Sequence, residues 1–151
     1  MKTLMNAPDR DAIMRRISEI QADSTRAWGR MSPAGMLSHL TDSFRACLGD
    51  RAASDHSTLA GRTVMRFVAT TLPYPWPKGV PTLAEVDQEQ GGTPPGEIET
   101  ELARLRDSVD DFIERIDPGT MRHPLFGRMT RAQWGRWGYR HIDHHARQFG
   151  L

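Results

Sequence analysis

Apolar residues return every three or four positions in four stretches of the chain, and each stretch predicts an amphipathic helix. The clearest is the third. Ile98, Leu102, Leu105, Val109, Phe112 and Ile116 step by three or four without a miss, and Asp117-Pro118-Gly119 ends the run, so a helix is predicted over 97–116. In the first stretch Ile13, Ile17 and Ile20 recur with Met14 beside them, predicting a helix over about 8–21 with Pro8 in its first turn, where a missing N–H costs nothing. The second opens at Ser32-Pro33, an N-cap followed by a favoured first helical residue, and stops near Gly49. Met36, Leu40, Ser43 and Cys47 form its stripe, widened by Leu37, Phe44 and Leu48. The fourth covers about 131–149, with Thr130 as cap and Gln133 where a capping box needs Glu or Gln.

The segment between the second and third of these reads differently. "GRTVMRFVATTL" (61–72) predicts one further helix, while the prolines of "PYPWPKGVPT" (73–82) exclude both a helix interior and a central strand. "GGTPPG" (91–96) is a second breaker. No alternating strand pattern of useful length is present. The predicted fold is therefore all-α: an antiparallel four-helix bundle with a long crossover, 50–96, between the second and third main helices. At 151 residues the chain fits a single domain, 1–151, with a core of ordinary size.

Charge removes several function classes. Twenty Lys and Arg against nineteen Asp and Glu give a net charge of +1, well mixed along the chain, so no nucleic-acid footprint is expected. No apolar run approaches the roughly 18 residues of a membrane span, and the opening "MKTLMNAPDRDAIMRR" lacks the apolar core of a secretory signal. One cysteine, Cys47, excludes an internal disulfide framework, and a reducing cytoplasm is the expected location.

The chemistry-bearing residues gather in "HIDHHARQFG" (141–150). Projected at about 100° per residue, Trp134, Trp137, Gly138, His141, His145 and Gln148 fall on one side of the fourth helix. Arg136, Arg140, Asp143 and Arg147 fall on the other, the expected solvent face, with His144 at the boundary. The cluster lies within a patterned helix, so it is not an appended tag. Two readings of the inward pair remain. They are core histidines satisfied by neighbours, or a metal pair, since imidazoles at i and i+4 stand one above the other and reach one ion. His39, flanking the stripe of the second helix, is the candidate third ligand, although a lone histidine on an apolar face is more often structural. Three nitrogens from two facing helices leave a coordination position open, as catalytic rather than structural zinc requires. His56 and His123 are expected to be exposed or structural. Cys47 reads as core filler. Asp42 and Asp143 read as solvated carboxylates, with orientation of a ligand ring as the alternative. Gln148 either donates to a metal-bound ligand or caps the helix end. Trp76 and Tyr74 either roof a pocket or anchor the crossover.

"WGRMSPAGMLSHL" (28–40) and "WGRWGYRHIDHHARQFG" (134–150) resemble the two metal-bearing helices of the DinB-like four-helix bundles. The resemblance spans nearly the whole chain. "PWPKGVPT" (75–82) and "HPLFGRMTRAQWGR" (123–136) are similar to one uncharacterised bacterial branch of that superfamily. It implies a ligand histidine on the second helix and an H-x-x-x-H pair on the fourth, here His39, His141 and His145, with "HARQ" where "HRGQ" is usual. Relatives with known roles include metal-dependent thiol transferases and isomerases. The implied cofactors are a divalent metal, zinc or nickel foremost, and a low-molecular-weight thiol. The expected function is thiol (S-)transfer to a small electrophile, with a small-molecule substrate, no nucleic-acid or membrane partner, and a homodimer as the assembly. The alternatives are a metal-dependent hydrolase and a non-catalytic metal-binding or dimerising bundle.

Overall fold

The computed structural model describes all 151 residues. The chain is all-helical, with five α-helices and no strand: α1 Ala7–Ile17, α2 Pro33–Leu48, α3 Arg66–Thr71, α4 Ile98–Arg115 and α5 Arg131–Gln148. A π-helical turn, Gly61–Met65, runs directly into α3, and a 3-10 turn, Ala84–Val86, lies between α3 and α4.

The helix ends follow from local chemistry. Ser32 caps α2 by accepting from the Gly35 N–H at 3.1 Å, and Gly49 ends it at φ 81, a conformation glycine adopts without a Cβ clash. Thr130 and Gln133 form the reciprocal capping box of α5. α1 ends at Ile17, four residues before the predicted 21, because turn hydrogen bonds from Glu19 to Arg16 and from Ile20 to Ile17 replace the helical ladder. Ile20 is nevertheless buried, so its helical spacing reports the core and not the helix end.

The core forms where α2 meets α4 and α5, while α1 and α3 pack on α5. Phe44 of α2 stands edge-on to Phe112 of α4 and Trp137 of α5, at centroid distances of 5.0 and 5.5 Å, within the range that aromatic pairs favour. Gly61 lets the π turn approach the loop before α5. A Cβ there would meet the Leu125 carbonyl oxygen at 2.5 Å, so only glycine fits.

Two polar expectations are corrected. Asp42 is not solvated. It is 1% exposed and accepts from the Thr93 N–H (2.7 Å), the Thr93 hydroxyl (2.8 Å) and Arg51 (3.2 Å), so it anchors the stretch entering α4 against α2. Nor is Arg140 part of a free solvent face. Its guanidinium donates to the carbonyls of Val68 (3.1 Å), Leu72 (2.6 Å) and Tyr74, the last being a short contact. It thereby satisfies orphan carbonyls at the end of α3 and fastens the following proline segment to α5. Asp143, on the same side, is half-buried and pairs with Arg16 and Arg147.

Candidate metal centre

His39 on α2 and His141 and His145 on α5 converge, with one ring nitrogen from each lying within 4.8 Å of the others. The Nε2 atoms of His39 and His141 are 3.2 Å apart. Nitrogens bound to one zinc at about 2.0–2.1 Å in a tetrahedral arrangement stand about 3.3 Å from each other, so that pair is already at ion-sharing separation.

Two of the three tautomers are fixed by the fold. Val86 O, in the 3-10 turn, lies 2.7 Å from His39 Nδ1. A carbonyl only accepts, so Nδ1 carries the proton and Nε2 presents its lone pair to the cluster. His145 is set through an intermediary. The Gln148 amide nitrogen donates to Trp28 O at 2.9 Å, which turns its Oε1 toward His145 Nδ1 at 2.8 Å. That oxygen also accepts, so His145 Nε2 is again the lone pair. The His141 Nδ1 is buried without a partner, and its tautomer is set by what Nε2 meets. Acceptors behind the rings and lone pairs in front are the arrangement that metal-ligating histidines use.

Electrostatics point the same way. All three rings are buried and their pKa values fall below the ordinary histidine range. Loss of hydration is the main cause. Mutual repulsion between the would-be imidazoliums adds to it at His141 and His145. The rings therefore stay neutral, the state a divalent cation requires of them.

The cluster opens on one side to a cavity of about 310 Å³. Trp76, Pro77, Val80 and Pro81 of the proline segment line it, as do Val64, Met65 and Val68 from the π turn and α3, and Phe126 before α5. Trp76 thus both roofs the cavity, with its ring 5.8 Å from that of His141, and anchors the proline segment to α3 by donating to Ala69 O at 3.1 Å. Tyr74, by contrast, is exposed and lines none of it. His144 stays outside the convergent set. It is half-buried, with Trp28 and Trp76 each 5.9 Å away, and lines the cavity. Cys47 also lines it, but burial pushes its thiol pKa far up, leaving no thiolate. His56 is exposed, as expected, while His123 is buried and lines the cavity.

The backbone carbonyls of Val86 and Trp28 escaped sequence reasoning, since no side-chain identity announces a carbonyl. Gln148 was legible as an inward residue, but its role is acceptance from His145 and not donation to a ligand.

Fold and cluster together define a class: helical proteins with a buried pocket of three convergent histidines suited to a divalent ion. The particular family follows from comparison. The family model of the DinB superfamily matches residues 9–149, and the chain belongs to that superfamily. Comparison with curated proteins and with solved structures gives no match.

Proposed function

We propose that this protein is a divalent-metal-dependent enzyme that holds one ion on His39, His141 and His145 and transfers a low-molecular-weight thiol to a small electrophile. The observation that carries this reading is the opening of the histidine cluster onto a half-open, mainly apolar cavity. Three neutral nitrogens from the protein leave a coordination position on that side, where a purely structural site would be closed by a fourth ligand. When bound, a zinc or nickel ion supplies Lewis acidity, lowering the pKa of a thiol or water beside it. The chain's own part is to hold two imidazoles in a fixed tautomer, to keep all three uncharged, and to cover one side of the site with Trp76 and the proline segment. Its one thiol, Cys47, is protonated and buried, so the sulfur nucleophile must come from a bound cofactor.

The architecture proposed with this function is a single-domain antiparallel four-helix bundle, α1, α2, α4 and α5, with 50–96 as the crossover that builds the cavity roof. The exposed apolar side chains Leu59, Val64 and Phe67 give a surface for a homodimer. A cytoplasmic protein without nucleic-acid or membrane partners fits the mixed charge. No helix is long and apolar enough to cross a membrane.

The test begins with metal analysis of tag-free protein, followed by conjugation of bacterial thiols to a generic electrophile with restored zinc or nickel. Alanine at His39, His141 or His145 is expected to abolish stoichiometric metal uptake, and alanine at His144 to leave it largely intact. Turnover that never exceeds the His141→Ala control across several thiols and metals rejects the transferase. Ester or amide hydrolysis in the same preparations would then make the protein a hydrolase.

A further inference from the structure

His123 lies in the turn before α5 and lines the cavity, with its ring beside Trp137, which also touches His141. The Leu125 and Phe126 N–H groups both donate to its Nδ1, at 3.1 and 3.3 Å. A nitrogen that accepts twice cannot carry a proton, so the proton sits on Nε2. That Nε2–H has no partner within the protein, although the residue is only 6% exposed and lines the cavity. Phe126 stacks on one face of the ring at 4.5 Å and Trp137 stands edge-on at 4.8 Å, so the imidazole cannot swing away. The rest of the cavity lining contains no lysine or arginine. Its one charged member, Glu85, is an anion already engaged by the Ser54 N–H at 3.0 Å. Arg140, the nearby cation, is committed to three backbone carbonyls. In the metal-free protein, a cavity with mainly apolar walls, no lysine or arginine and a fixed neutral donor at His123 disfavours anionic ligands.

We propose that His123 is a ligand-binding residue, whose Nε2–H donates a hydrogen bond to an uncharged oxygen acceptor, such as a ketone or ester carbonyl, on an otherwise apolar molecule held in the cavity. This names the substrate class for the site described above and rests on the reading of that cavity as the ligand site. Burial holds the His123 pKa down to about 3, so the donor stays neutral throughout the working pH range.

Three naphthalenes of nearly equal shape test this in metal-free protein, where the cavity acts without an ion. They are 2-acetylnaphthalene, 2-isopropylnaphthalene and 2-naphthoate, compared by calorimetric titration. The ketone is expected to bind about fivefold more tightly than the hydrocarbon, the worth of one net hydrogen bond, and the carboxylate more weakly than either. In His123→Asn the side-chain oxygen takes the place of Nδ1 and keeps the acceptor for Leu125 and Phe126, while Nε2–H is gone. The ketone-to-hydrocarbon ratio is then expected to fall to about one. Should this variant fold poorly, the ring N–H signal of His123 in wild-type protein, followed by NMR, is expected to move with the ketone and stay put with the hydrocarbon. A ratio that survives the substitution, an unmoved N–H signal, preferred binding of the carboxylate, or no binding of any probe each overturns the proposal. Zinc uptake measured separately distinguishes the two readings: zinc bound without ketone preference defeats this inference alone, and ketone preference without zinc defeats only the metal reading.

Discussion

The most consequential residue that is not itself in the histidine set is Gln148. Its amide reaches both ways, giving a hydrogen to Trp28 O and taking one from His145 Nδ1. Leucine there matches its bulk but leaves Nδ1 facing an apolar group, so the ring is free to adopt the other tautomer or turn. Metal affinity is expected to fall about 10–100-fold in Gln148→Leu, read by competition with a chromophoric chelator, while the helical circular dichroism stays unchanged. An unaltered affinity would mean that packing alone orients His145. The inward set of α5 was legible because 3.6-residue periodicity sorts residues by direction, and it brought Gln148 to notice without revealing its partner. Trp28 contributes a carbonyl, and a carbonyl leaves no trace in a side-chain pattern. Asp42 was misread for a related reason. Its burial depends on Thr93, fifty-one positions away, which no local period encodes.

At the scale of elements, the four long helices could be read closely because each buries one regular stripe, and α1, α2 and α5 also carry side-chain N-caps. Within 50–96 the helix predicted at 61–72 was legible and is found at 61–71, but the arrangement of the remainder was not. Its order comes from tertiary hydrogen bonds, with Arg140 binding the end of α3 and Arg51 binding Glu85 O at 2.8 Å. Arg140→Ala removes one cation and three hydrogen bonds to carbonyls, of which the Leu72 carbonyl is the least open to water. The expected result is a loss of about 1–3 kcal/mol of stability, with amide exchange accelerating selectively across 66–76. The helices α2, α4 and α5 should keep their protection. Uniform acceleration throughout the chain would show that Arg140 supports the whole fold and not one wall of the cavity.

For the molecule as a whole, the buried histidines set the response to acid. His123 has a folded pKa of about 3 against an ordinary 6.5. Above pH 6.5 it is neutral folded and unfolded, and its contribution to stability is fully present. As pH falls from 6.5 toward 3, only the unfolded chain takes up the proton, so stability drops by up to about 1.4 kcal/mol per pH unit for each such group. His39, His141 and His145, shifted in the same direction, add to the slope in metal-free protein. Urea unfolding of that protein between pH 7 and 4 is expected to show a steep acid loss, shallower by about one proton in His123→Asn. A flat profile would mean that these rings are hydrated in solution.

The contact between His39 and Val86 O also bears on how such a protein tolerates sequence change. A main-chain acceptor is supplied by every amino acid, so position 86 can drift among side chains of similar size without disturbing the proton on His39 Nδ1. What it cannot absorb is a change of length. One residue inserted between Glu85 and Val86 would move the carbonyl by about 3.3–3.6 Å and turn it away from the ring. Val86→Ile is therefore expected to bind zinc as the parent does, whereas the single insertion is expected to lose most of that affinity. The site is indifferent to spelling at this point and strict about spacing.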